Sequence, residues 1–462
     1  MWVKCTNQTQ FRTMLSPDLL KDYQNRGIQF GMDNADLGCY LAADCGLGKT
    51  VMMQTILSML LSSGVSKRVL VLAPPRVGKF VWRQESQAWS HLTDLEVVPV
   101  LGTPKQRLEI LETEPQVSVL SYDLLSWLNE TYGDALPFDT LVLDEASMVK
   151  SRTSKRFKTL RKMRNKFERV YLMSATPSAD SIESLWSQYF MLDKGERLGK
   201  YFTYFQRSYF YPTDYNKFYW ELREGALDKI VNKISDRTLR LSAEEHLNLP
   251  ALSHNKIRVD LGDCYSDYLA LEREFFLELR NAPIVAVNSA VLSGKLRQFT
   301  NGFLYDEDGD SHEVHTAKLD GLGELLEDTK PLLLFYEYKS DWDRIKKRFP
   351  FAEHIKDVGV IDRFNDNKVR LLCGNSKSMS HGLNLQMGGC SRMVFFSLPW
   401  SNELYTQAIG RLHRQGNDSR VTAHYIVGRN TIDEKVSRAL INKQNLQDAL
   451  LKGVRKNFLL GD

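Results

Sequence analysis

Residues 39–61 read CYLAADCGLGKTVMMQTILSMLL: a short apolar run, a loop of small residues, then an apolar helix-like stretch. A loop that cradles phosphate needs small residues so that backbone N–H groups can approach the oxygens, and a following helix N-terminus complements their charge. ADCGLGKT at 43–50 meets that need, although Ala43 stands where the general G-x-x-x-x-G-K-[ST] pattern has its first glycine. Gly46, Leu47, Gly48, Lys49 and Thr50 are the candidate phosphate-binding residues. Lys49 is placed to meet the β and γ phosphates and Thr50 to ligate Mg²⁺.

Further apolar runs extend the pattern outward. RVLVLAP at 68–74, VSVLSY at 117–122, TLVLDEA at 140–146 and RVYLMSAT at 169–176 follow in the first part of the chain. PLLLFYEY at 331–338, VRLLCG at 369–374, RMVFFSLP at 392–399 and VTAHYIV at 421–427 follow in the last. Runs without polar alternation suit strands buried on both faces, with crossover helices between them. The expected architecture is α/β, two doubly wound parallel-sheet lobes with helical insertions. The lobes are expected at 1–245 and 246–462, the second including a linker and a helical insertion. From about 181 to 330 the strand signal fades. YSDYLALEREFFLELRN, 265–281, reads as a helix and SHNKIRVDL, 253–261, as one extended link. Eleven aromatics crowd residues 201–220; packing beside helices is the reading preferred to base stacking.

At 462 residues the chain is long enough for two or three cores, and 43% apolar with 26% charged residues is an ordinary globular composition. No apolar run reaches the roughly 18 residues of a membrane span, and the N-terminus MWVKCTNQTQ has no signal-peptide apolar region. No membrane and a cytoplasmic location are therefore expected. The six cysteines show neither C-x-x-C spacing nor metal-ligand spacing with histidine. The net charge of +4 is too small to argue for nucleic acid. Its distribution says more: residues 150–169 hold ten Lys or Arg against one acid, Glu168. Phe157, Leu160, Met163 and Phe167 recur there at spacings of three and four, so one helix face is apolar and the rest basic. Lys155, Arg156 and Lys158 are the candidate nucleic-acid contacts.

Asp144 and Glu145 end an apolar run, where an open parallel sheet presents ligand-facing side chains. One carboxylate can hold Mg²⁺ while its neighbour orients the attacking water. Together with Lys49 these residues indicate an NTPase using ATP and Mg²⁺, but not what the energy is used for.

The order of short motifs then becomes informative: LKDYQNRGIQF, ADCGLGKT, LAPPRVGKFVWRQE, SYDLL, LDEAS, MSATPS, LLLFYEYKSD, HGLNLQ and QAIGRLHRQGN. The series resembles the Swi/Snf-like branch of superfamily-two helicases. LPALSHNKIRVDL, GKLRQFTNGFLY to HTAKLDGL, LPWSNELYTQAIGRLHRQGN and NTIDEKV are most similar to compact phage and prokaryotic forms. The resemblance implies two RecA-like lobes with ATP between them and duplex or branched DNA across both. By position, Gln24 resembles the glutamine that reads adenine, with Tyr23 nearby. Ser174, Ala175 and Thr176 resemble the motif coupling hydrolysis to lobe movement, and Gly382 and Asn384 the motif facing both ATP and the strand. Gln407, Arg411 and Arg414 belong to the last motif. Charge building on a transferring phosphoryl group is met well by a guanidinium fork, and an arginine from the second lobe would make hydrolysis depend on closure. His413 reads as a residue that orients its neighbours.

Two departures stand out. Ser147 replaces the histidine common in this branch, and Asn417 replaces a glutamine. The implied activity is that of a DNA-dependent ATPase that translocates on duplex or branched DNA. It would act as a monomer, in the cytoplasm (the host's if phage-encoded), with replication, repair or recombination proteins as partners. A strand-separating helicase, a nucleotide-dependent DNA-binding switch that recruits a partner with little hydrolysis, and a nucleotide kinase are the alternatives.

Overall fold

The computed structural model describes residues 14–178, 180–215, 219–281, 285–379 and 383–459. Strands β1 (Tyr40–Ala43), β2 (Val69–Ala73), β3 (Val97–Pro99), β4 (Val117–Ser121), β5 (Thr140–Asp144), β6 (Arg169–Ser174) and β9 (Thr238–Leu241) form a parallel sheet ordered β3-β4-β2-β5-β6-β1-β9. Successive side chains point to opposite faces of a strand, so Leu70, Leu72, Leu141 and Leu143 enter one core and Val69, Val71, Ala73 and Val142 the other. Both faces are covered, which is why these strands carry no polar alternation.

The second sheet is also parallel. It runs β10 (Leu252–Val259), β17 (Val421–Gly428), β16 (Arg392–Phe395), β13 (Leu332–Tyr336), β15 (Leu371–Asn375) and β14 (Glu353–His354). Its two faces again hold separate cores, with Leu333 and Phe335 on one side and Leu332 and Leu334 on the other. Two small antiparallel hairpins complete the strands: β7 (Phe210–Pro212) with β8 (Trp220–Leu222), and β11 (Phe303–Tyr305) with β12 (Ser311–Glu313).

The region from 181 to 330 therefore needs correcting, because it is not free of strands. Residues 253–259 belong to an edge strand of the second sheet rather than to a link, and β9 completes the first sheet. Both evade a search for continuous apolar runs. β10 has one face open to solvent and alternates polar with apolar residues, while β9 is four residues long with Arg240 inside it. The helix Tyr265–Asn281 forms as expected. The aromatic crowd divides. Phe205, Tyr209 and Phe210 are buried, whereas Tyr201, Tyr204, Tyr211, Tyr215 and Tyr219 are exposed, Tyr215 by 99%.

Segments far apart in sequence meet in a buried polar knot of the second lobe. Lys318, 1% exposed, donates from Nζ to Asn301 Oδ1 at 2.8 Å and Phe396 O at 3.2 Å, and pairs with Asp433 at 2.7 Å. Asn301 in turn donates to Asp341 and Ser397. Removing one partner of a buried pair strands the other charge. Lys318→Ala is thus expected to cost about 3–5 kcal/mol, read as a lower urea midpoint for the second lobe. A loss below about 1 kcal/mol would mean that water replaces the ammonium.

The helix Ile432–Leu459 crosses between the lobes. Ile432, Val436 and Leu440 lie in a core of the second lobe, while Leu450 and Leu451 enter a core of the first. At 1.5 Å per residue its 28 residues span about 42 Å.

Candidate active site

The carboxyl ends of β5, β6 and β1 lie side by side, with Asp144 opposite Met173 and Ser174 opposite Ala42. Ligands of open parallel sheets sit beyond these ends. Leaving β1, the loop turns through Gly46 (φ +88) and Gly48 (φ +76) into the helix Lys49–Ser62. A Cβ on Gly48 would stand 2.3 Å from Gln24 Nε2, so the glycine gives the Gln24 side chain its room. Gln24 donates from that nitrogen to Leu47 O at 3.2 Å and accepts from Lys21 N at 2.9 Å. Tyr23 stacks on His246 with centroids 4.7 Å apart.

Lys49 donates to the carbonyls of Ala43 (2.7 Å) and Asp44 (3.2 Å), folding its ammonium onto the loop. Thr50 is half-buried in the first helical turn. Asp144 is buried and accepts from Trp82 Nε1 at 2.8 Å. Burial pushes its carboxyl up to about 6, opposed by the Trp82 bond, reinforced by Glu145 and opposed again by Lys49. Glu145 has φ +63, a left-handed backbone that is uncommon without glycine. Its Oε1 accepts from Ser174 Oγ at 2.5 Å, and Ser147 Oγ lies 3.1 Å from the same oxygen. Thr176 N donates to Ser174 Oγ at 3.0 Å, and Ala175 is buried between them.

From the second lobe comes the helix Asn402–Ile409 and the turn after it. A Cβ on Gly410 would lie 3.2 Å from Cys45 Cβ, and one on Gly46 would lie 3.8 Å from Arg414 Cβ. The two motifs, roughly 360 residues apart in sequence, are in contact. Arg411 is buried and anchored, donating from Nε to Gln407 O and from Nη1 to Leu383 O, each at 3.0 Å. Burial pushes its guanidinium down to about 10, opposed by Cys45, reinforced by Arg414 and opposed by Glu145. Arg414 donates from Nη1 to Asn384 Oδ1 at 3.3 Å, while its buried Nε has no protein acceptor. Both polar atoms of the buried Gln407 side chain also lack partners. Gly382 lies outside the described residues. His413 meets Pro250 O at 2.8 Å, and Asn417 is a buried donor to the Cys390 and Leu412 carbonyls, so both hold the turn.

A cavity of about 410 Å³ opens beside the loop between the lobes, bordered by Asp44, Cys45, Arg240, Gly410 and His413. The site therefore offers loop amides, a lysine resting on carbonyls, a desolvated carboxylate held by an indole N–H, and an unpaired guanidinium N–H. That donor set fits a polyphosphate with a hard divalent cation.

The basic stretch is less uniform than its composition. Lys155 and Lys158 face solvent from the helix Lys155–Met163, but Arg156 pairs with Asp123 at 2.7 Å. Arg164 and Arg169 are buried and bond to backbone carbonyls, which makes them structural. Sequence reasoning missed Trp82 and Tyr122, whose hydroxyl donates to Asp144 O at 3.1 Å. Both lie inside the quoted motifs WRQE and SYDLL, the only local signal for them.

Residues 23–281 match the SNF2-related domain. The chain belongs to the SNF2-related family. Residues 318–416 of this SNF2-related protein match the helicase conserved C-terminal domain. It is 35% identical over 434 residues to putative protein p41 of Acyrthosiphon pisum secondary endosymbiont phage 1, covering 90% of this chain and 94% of that one. To the putative ATP-dependent helicase/translocase YwqA of Bacillus subtilis it is 25% identical, over 94% of this chain and 49% of the relative. To the DNA annealing helicase and endonuclease ZRANB3 of Mus musculus it is 26% identical, over 97% and 42%. The chain thus spans under half the length of these last two. Among solved structures, the Sulfolobus solfataricus SWI2/SNF2 ATPase core in complex with dsDNA aligns over 94% of both chains, with 20% identity and a TM-score of 0.46. Among the described residues no helix is long and apolar enough to cross a membrane.

Proposed function

We propose that this SNF2-related protein is a DNA-dependent ATPase that hydrolyses ATP to ADP and phosphate and translocates along duplex or branched DNA. One observation carries the reading: the phosphate loop and the Asp144–Glu145 pair of one lobe share a cleft with Arg411 and Arg414 of the other. Hydrolysis confined to that cleft depends on lobe approach, which is what a motor gated by its track requires. The names of the relatives, a helicase/translocase and a DNA annealing helicase, agree with it.

ATP bound there would supply a phosphoanhydride bond to break, and Mg²⁺ held by Thr50 and Asp144 would offset phosphate charge. Lys49 exchanges its two loop carbonyls for phosphate oxygens, so the loop is preformed before binding. Gln24, already at Leu47 O, is placed at the base end of the loop. Glu145, with Oε1 held by the Ser174 hydroxyl, orients the attacking water and takes its proton. Arg414 approaches the phosphates, and Arg411 holds the segment carrying Leu383 and Asn384 beside them. Ser174, Ala175, Thr176 and Gln407 relay the state of the site to the lobes.

The deciding experiment measures ATPase rates with single-stranded, duplex and branched DNA and with RNA at matched salt. Stimulation by duplex or branched DNA is expected. A strong single-strand preference would favour strand separation, and binding of DNA without turnover would favour a nucleotide-dependent switch.

For the track, Lys155→Ala with Lys158→Ala is expected to weaken DNA stimulation and to reduce the log–log salt slope by about 2, near 0.9 per lost phosphate contact. Arg156→Ala should add less, because Asp123 already neutralises it. Unchanged stimulation and slope in the triple variant would remove this helix from the DNA path.

A further inference from the structure

The lobes meet at a second place besides the nucleotide cleft. Lys150, six residues after Asp144, projects its ammonium between Asp180 of the same lobe (2.5 Å) and Glu403 of the other (2.7 Å). Glu403 is only 6% exposed, and its other oxygen accepts from Ser147 Oγ at 2.5 Å. Ser147 also lies 3.1 Å from Glu145 Oε1. Its single hydroxyl proton can serve one acceptor at a time, and the distances assign it to Glu403. Asp180 reaches across in the opposite direction. It accepts from Asn402 N at 3.0 Å and Ser401 Oγ at 3.2 Å, with Lys443 at 3.8 Å.

Asn402 opens the helix Asn402–Ile409, so a carboxylate of the first lobe caps the N-terminus of a second-lobe helix. Glu403 and Gln407 are one turn apart on that helix, and Arg411 and Arg414 follow its C-terminal end. Whatever holds the first turn therefore sets where the arginines stand relative to Gly46.

We infer that Asp180, Lys150, Glu403 and Ser147 form a cross-lobe clasp that closes the protein without nucleotide and positions the arginine-bearing helix for hydrolysis. Asp180 and Glu403 are positioning residues. The serine in place of a histidine is part of the clasp, since its short hydroxyl fits between two carboxylates. The inference rests on the proposed ATPase reading only for its kinetic consequence.

The test uses the full chain with the isosteric variants Asp180→Asn and Glu403→Gln, singly and together, and Ser147→Ala as a milder probe. Small-angle X-ray scattering without nucleotide should show a larger radius of gyration for the double variant than for the parent protein. At saturating DNA, kcat should fall tenfold or more while the KM for ATP stays within threefold. The double variant should be little worse than either single one, because they break the same clasp. Unchanged scattering, unchanged kcat, a loss confined to KM, or effects that multiply would each overturn the proposal. If the parent protein shows no DNA-stimulated turnover, the ATPase reading fails, and scattering still decides the clasp.

Discussion

Glu145→Gln is expected to lower DNA-stimulated turnover by about two to four orders of magnitude, the usual worth of a positioned general base, while ATP still binds. The amide matches the carboxylate in shape and can still accept from the Ser174 hydroxyl. What it cannot do is take a proton from water. The residue also occupies a left-handed backbone position just after β5, and the Tyr122 hydroxyl ties down the preceding carbonyl of Asp144. A glutamine there keeps the backbone and loses only the chemistry. Steady-state ATPase with duplex DNA, paired with calorimetric titration of ATP, separates the two effects. Turnover within tenfold of the parent protein would assign the base elsewhere. Lys49→Ala should also abolish turnover, but with weakened binding, since the ammonium meets the phosphates in the ground state as well.

Arg414→Ala is the second large effect, with a loss of about 10³-fold or more in turnover and ATP affinity within a few-fold. The side chain departs from a Cβ close to Gly46, keeps one bond to Asn384 and leaves its Nε without an acceptor. An unpaired buried donor costs stability unless something fills the place, and charge accumulating on a transferring phosphoryl group would do so. Arg414→Lys should recover little, because a point charge does not reproduce the fork. Arg411→Ala makes the contrast: its fork is engaged by Gln407 O and Leu383 O, so its loss should also lower the stability of the second lobe. Near-normal hydrolysis by the Arg414 variant would end its cross-lobe role.

Much of this was readable in advance, and the reason differs by feature. The strands of both sheet centres were legible because burial on two faces writes an unbroken apolar run, as in TLVLDEA and PLLLFYEY. β9 and β10 were not, being short or one-sided. The loop 43–50 and the Asp144–Glu145 pair are candidates on sequence alone because the chemistry proposed for them fits within a few consecutive residues. The basic helix was misleading in part. Composition alone does not distinguish Lys158, which faces solvent, from Arg164, whose guanidinium is spent on the carbonyls of Phe167 and Leu192.

Local periodicity thus suffices for the two lobes, and the order of short motifs for the resemblance to the family, because each of those is encoded over a strand, a loop or a turn. The contact of Gly410 with Cys45, the contrast between an anchored Arg411 and an Arg414 whose Nε–H is unpaired, and the Ser147–Glu403–Lys150–Asp180 clasp are of another kind. They join residues from about 30 to more than 300 positions apart, and no periodicity in a chain records which distant side chains meet when two lobes come together.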